Sequence, residues 1–150
     1  ELIFKTNFFG TLNCLNAFLP FLKKKNNSQV IFMSSVAGYR GLPYAAAYCS
    51  SKSAITTFAE SIYNQCKNLG IAIRVINPGF VKTPLTDKNK FKMPMIIPAE
   101  KAADIMYKKI VFSKKFEINC PWLFCFIMKI LRLLPNSLYL SLTQLLIKRL

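Results

Sequence analysis

Apolar residues recur at Phe8, Leu12, Leu15, Leu19 and Leu22, spacings of three and four that predict an amphipathic helix over residues 2–22. The lysine run Lys23 to Lys25 suits its C-terminus. In "SQVIFMSS" the period changes, and the unbroken apolar run Val30 to Met33 predicts a strand buried on both faces, as in a parallel sheet under helices. The loop "SVAGYRGLPY" leads into a second helix from about Ala46 to Asn68, with Gly70 as its stop. "IAIRVI" reads as the next strand, "NPGFVKTP" as a turn-rich exit, and "LTDKNKFKMPMIIP" as a lysine-bearing loop bounded by prolines. A third helix lies in "PAEKAADIMYKKIVFSKK", with Pro98 near its start, and a third strand in "FEINCP". Helix and strand alternating in this way predict an α/β layered fold.

The last thirty residues break the alternation. "PWLFCFIMKILRLLP" and "NSLYLSLTQLLIKRL" predict two apolar helices whose only charges are Lys129, Arg132, Lys148 and Arg149. Residues 122–134 are too short for a bilayer span, which needs about 20 residues. Such a basic, aromatic-bearing pair suits an anionic membrane surface or a cover over a greasy substrate; a packed helical hairpin is the plainer alternative.

Composition narrows the class. With 150 residues, 53% of them hydrophobic, the chain has the size of one domain and the material for its core. Five cysteines without a CxxC pair, and no histidine, leave the usual zinc ligand sets absent and fit a reduced, cytoplasmic, metal-free protein. The net charge of +15 leaves no carboxylate between Glu1 and Glu60 or after Glu117. Anionic membrane, nucleic acid or a phosphate-bearing ligand could answer such a field, as could plain solvation. No zinc-finger, helix-turn-helix or RNA-stacking motif accompanies the charge, which disfavours nucleic acid. The chain opens at Glu1, directly in a helix, so further sequence upstream is expected.

Without histidine, acid-base chemistry needs another residue. In "AYCSSKSAI", Tyr48 and Lys52 stand four apart and so share one helix face. The lysine charge favours the phenolate and makes the tyrosine a usable acid or base. Thirteen residues earlier Ser35 follows the first strand, at the carboxyl end where parallel sheets present residues to ligands. The second strand ends at the same edge in "NPGFVKT", whose glycine lets backbone approach a ligand and whose Thr83 offers a hydroxyl. Ser34 competes with Ser35, but spacing to Tyr48 favours Ser35. Tyr39 and Tyr44 have no lysine four residues on and read as pocket or surface residues; Cys49 reads as a small packing residue, since no histidine is there to activate it.

Four motifs in order, Asn7 in "TNFFG", Ser35 in "MSSVAG", Tyr48 with Lys52, and "NPGFVKT", resemble the short-chain dehydrogenase/reductase family over about residues 1–118. The resemblance implies the C-terminal half of a Rossmann-like, doubly wound parallel sheet, with residues 119–150 as a helical extension of the same domain. It implies an oxidoreductase that uses NAD or NADP to interconvert a carbonyl and an alcohol. Tyr48 would donate or accept the proton, Lys52 would bind the ribose hydroxyls and tune Tyr48, Ser35 would hold the substrate oxygen, and Asn7 would anchor a water on the route to Lys52. Pro78, Gly79, Val81 and Thr83 match the turn against the nicotinamide, through the Val81 backbone and the Thr83 hydroxyl.

The family's Thr-Gly-x-x-x-Gly-x-Gly turn and its Asn-Asn-Ala-Gly segment have no match here. By the resemblance the chain is then a fragment, lacking about 100 upstream residues that hold the pyrophosphate and adenosine, and the edge of its first strand is left unpaired. A decayed, non-catalytic scaffold or membrane-surface module is the alternative reading. A homo-oligomer built on the helices that start near Leu2 and Ala46 is expected, as is a lipophilic substrate. A cluster of Lys88, Lys90 and Lys92 would instead suit phosphate on an acyl carrier.

Overall fold

The first helical segment, α1, joins a turn at Leu2–Phe4, a π-helical stretch at Lys5–Phe9 and an α-helix at Gly10–Leu22. Phe8, Leu15, Leu19 and Leu22 turn one face of it onto the main core, as the spacing of three and four requires. The computed structural model describes residues 1–25, 27–89 and 93–147; Lys90, Lys92, Lys148 and Arg149, named above as candidate contacts, lie outside them.

Three strands, β1 (Ser28–Met33), β2 (Ile71–Pro78) and β5 (Glu117–Cys120), form a parallel sheet in the order β1-β2-β5. Val30 lies opposite Ile73 and Met33 opposite Ile76, while Pro78 lies opposite Cys120, so the carboxyl ends of all three strands meet at one edge. β2 is central, with Ile71, Ile73, Val75 and Ile76 buried. The short strands β3 (Val81–Lys82) and β4 (Ile97–Pro98) pair separately and in parallel, which gives the proline-bounded segment a strand where the sequence predicts only loop.

β1 corrects the expectation of a strand buried on both faces. Only its Phe32 is buried, and Met33 keeps 49% of its surface exposed. In the sheet formed by the described residues β1 pairs on one side alone, with β2. Its other side borders a groove of about 670 Å³ against α1, lined by Leu15, Phe18, Val30 and Met33 among others. An apolar run marks a strand suited to cover, and among the described residues β1 is covered only in part.

Helix α2 (Ala46–Asn68) lies over the sheet, burying Ile55, Ala59 and Cys66. Phe58 meets Phe32 and Phe8 edge-on, with centroids 6.0 and 6.2 Å apart, the favoured aromatic geometry. The helix stops at Gly70, whose φ of +73° is open to glycine at no steric cost. Helix α3 (Ala99–Phe112) is tied to the sheet by a buried arginine of the central strand. The Arg74 guanidinium donates to the carbonyls of Lys109, Ile110 and Lys115 at 2.8–3.1 Å; the first two are among those a helix C-terminus leaves unpaired. Two further helices, α4 (Trp122–Leu133) and α5 (Asn136–Ile147), follow β5 as expected. Phe124, Cys125 and Met128 of α4 pack with Val36 and Tyr39 in a second core beside the sheet's carboxyl edge.

Candidate active site

Tyr48 stands in the first turn of α2, at the end that carries the partial positive charge of the helix. It keeps 40% of its surface exposed. One turn on, the Lys52 amine lies 5.7 Å from the centroid of the Tyr48 ring and donates to the Met33 carbonyl at 2.9 Å, at the very end of β1. Burial holds the Lys52 ammonium below its ordinary pKa. An ammonium has three donors; with one given to Met33, two remain for hydroxyls of a ligand at this edge.

The two neighbouring serines have different tasks. The Ser34 hydroxyl is buried between the Lys52 carbonyl, 2.9 Å away, and the Thr56 hydroxyl at 2.8 Å, so it fastens α2 to the end of β1. Ser35 begins the turn Val36–Gly38, accepting from the Ala37 amide at 3.2 Å, and reaches toward the Pro78 carbonyl at 3.4 Å. It therefore sits between the ends of β1 and β2, as its place after the strand predicts.

Asn7 lies inside the π-helical stretch of α1, a local widening that often accompanies functional positions. Its amide donates to the Ser51 hydroxyl at 3.0 Å, and Ser51 donates to the Tyr48 carbonyl at 2.8 Å. Ser51 is thus the link between Asn7 and the first turn of α2. Nothing in the sequence distinguishes it from its serine neighbours; its complete burial does.

The exit turn of β2 is knotted by a hydroxyl pair. Thr86 donates to the Val81 carbonyl at 2.8 Å and receives the Thr83 amide at 2.8 Å, and the two hydroxyls are 3.2 Å apart. Gly79 donates its amide to the Cys120 carbonyl at 2.7 Å. A Cβ at Gly79 would come within 2.5 Å of the Phe124 ring, so the space that glycine leaves here is taken by α4.

The two neighbouring tyrosines differ from each other. Tyr39 borders a small pocket with Gly38 and Arg40 but is itself buried, with its hydroxyl donating to Asn119 at 3.0 Å and near Glu117, and burial first, then Glu117, pushes its pKa upward. Tyr44 is exposed. Cys49 is buried, in keeping with a packing role. Among the described residues no group of acidic or cysteine side chains could hold a metal ion.

The loop from Ser35 to Tyr48 is clamped from the far side by the terminal hairpin. Arg40 donates to the carbonyls of Leu131, Arg132 and Leu134 at 2.6–3.0 Å and to the Asn136 side chain at 2.7 Å, with its guanidinium 4.0 Å over the Tyr139 ring. Tyr139 in turn donates to the Gly41 carbonyl at 2.6 Å.

The family model for short chain dehydrogenases matches residues 1–93. The chain belongs to the short-chain dehydrogenase family. An uncharacterized oxidoreductase of Myxococcus xanthus is 36% identical over 137 residues, 91% of this chain and 54% of that protein. A 3-ketodihydrosphingosine reductase of Bacteroides thetaiotaomicron is 31% identical over 114 residues, covering 76% of this chain and 42% of that one. Among solved structures, a short chain dehydrogenase of Burkholderia cenocepacia in complex with NADP superimposes with a TM-score of 0.73 at 23% identity, over 83% of this chain and 52% of that chain. That likeness shows the Rossmann-like fold. The chain spans about half the length of the curated relatives it matches.

Proposed function

We propose that the protein is an NAD- or NADP-dependent oxidoreductase that interconverts a carbonyl and an alcohol, with Tyr48 as the proton donor or acceptor. One observation carries the reading: Tyr48 and Lys52 share the first turns of α2 at the carboxyl edge of the sheet, the amine 5.7 Å from the ring, beside Ser35 at the junction of β1 and β2. The nicotinamide supplies or takes up the hydride. Tyr48 moves the proton at the substrate oxygen, and Lys52 holds a cation beside the oxygen that develops negative charge. Ser35 orients the substrate oxygen by a hydrogen bond. The two free donors of Lys52 suit ribose hydroxyls, so the residues present fit that end of a dinucleotide. Pro78, Gly79, Val81 and Thr83 border the nicotinamide end, and Asn7 positions the start of α2 through Ser51 and anchors a water on the proton route.

The substrate proposed is lipophilic. Similarity to a protein named for 3-ketodihydrosphingosine and the apolar hairpin clamped to the loop between Ser35 and Tyr48 support it. A homo-oligomer through α1 and α2, a cytoplasmic location and peripheral contact with a membrane complete the reading. The test is nicotinamide-dependent turnover by the full-length protein on a panel of aldehydes and ketones of increasing chain length. Turnover that rises with chain length is expected; no oxidation of NADH or NADPH with any member would overturn the reading.

A further inference from the structure

Helix α4 is apolar on two faces. One is buried through Phe124, Cys125 and Met128. The other carries Trp122, Phe126, Ile130 and Leu133, spaced four, four and three apart on a single stripe, each 47–84% exposed. The same division continues in α5, where Tyr139 points inward while Leu138, Leu142 and Leu145 line an exposed face. A hairpin that served only to close the fold would need the inner face alone.

We propose that this outer face of the α4–α5 hairpin seats the protein on an anionic lipid surface. Charge selects the occupant. The sequence from Trp122 onward holds basic residues and no Asp or Glu, within a chain of net charge +15. Lys129 is paired with Glu117 of β5, which leaves Arg132, in the last turn of α4, as the exposed cation of the hairpin among the described residues. A stripe of large apolar residues with a tryptophan at one end and an exposed arginine beside Leu133 at the other suits the headgroup boundary of a bilayer. Two copies of the face, by contrast, would bring like charges together with no acidic partner. No helix among the described residues is long and apolar enough to cross a membrane, so the hairpin would lie in the interface.

Seating would place the catalytic loop at the lipid boundary, because Arg40 and Tyr139 fasten that loop to the hairpin. The inference rests on the proposed lipophilic substrate only for its purpose, and docking is measured without it. The full-length protein is co-sedimented with vesicles of phosphatidylcholine alone and of phosphatidylcholine mixed with phosphatidylserine. Binding to the anionic vesicles, weakened by salt, is expected, with a loss of about tenfold or more in Phe126→Ser/Ile130→Ser. Leu138→Ser/Leu145→Ser serves as a second variant should the first fail to fold. Turnover of a short, water-soluble carbonyl stays unchanged in both, which separates docking from catalysis. No binding to anionic vesicles at low salt, or equal binding by the folded variants, would overturn the proposal. So would a change of native mass in the variants without vesicle binding by the parent, because a second copy would then cover the face.

Discussion

Removing the Arg40 clamp tests how the terminal hairpin is held. Its terminal nitrogen Nη1 has two hydrogens shared among three carbonyls, the unpaired acceptors at the end of α4. In Arg40→Ala the bonds to Leu131 and Leu134, which are partly buried, should each cost about 1 kcal/mol. Those to Arg132 and Asn136 are exposed and cost little, since water replaces the donor. Loss of the guanidinium over Tyr139 adds about 0.5–1 kcal/mol. The sum is about 3 kcal/mol, to be read from urea unfolding as a lower midpoint at unchanged slope. Arg40→Lys keeps the charge but not the planar fork, and should recover less than half. Amide exchange in residues 136–147 should accelerate in step. A loss within about 0.5 kcal/mol for the alanine variant, the range of an ordinary surface change, would refute the clamp.

Gly79→Ala would force its new Cβ into the Phe124 ring and should cost about 1–3 kcal/mol; Phe124→Leu in the same chain should restore part of that loss, as thermal unfolding would register. Ser51→Ala leaves the Asn7 amide without its partner, a cost of about 1 kcal/mol, and the same unfolding curves should detect it. Burial pushes the Cys125 thiol from its ordinary 9.0 up to about 11. Because the folded value lies above the unfolded one, the stability this thiol contributes is full below pH 9 and is lost as pH rises toward 11. That loss amounts to about 3 kcal/mol, and Cys125→Ser, which keeps a donor toward the Asn77 carbonyl, should show a correspondingly smaller alkaline loss than the parent.

Much of this was legible in the chain because local pattern and local chemistry agree. The three-and-four spacing in α1, the apolar run of β2 and the Gly70 stop each report what their own neighbourhood does. The pair Tyr48 and Lys52 was legible for the same reason, since four residues on a helix bring two side chains to one face. What stayed hidden depends on partners far along the chain. Arg74 reads as a charge in a strand, yet it serves the C-terminus of α3 some thirty-five residues on. Tyr39 reads as a pocket or surface residue, and its burial against Asn119 and Glu117 depends on a strand some eighty residues on. Gly79 reads as a place where backbone approaches a ligand, and nothing in its neighbourhood announces that a Cβ there would meet Phe124, some forty-five residues on. β1 departs from its pattern for another reason: hydrophobicity records that a surface suits cover, while the order β1-β2-β5 leaves this strand at the edge of the described sheet.

In the proposed reaction a phenol beside Lys52 does the proton transfer in a chain with no histidine. Its most direct test is the kcat of the full-length protein carrying Tyr48→Phe, measured on a carbonyl that the parent reduces, with nicotinamide cofactor binding followed separately. A fall of at least about 100-fold in kcat is expected, the usual weight of a positioned general acid, with cofactor binding kept. Turnover within about twofold of the parent would contradict it.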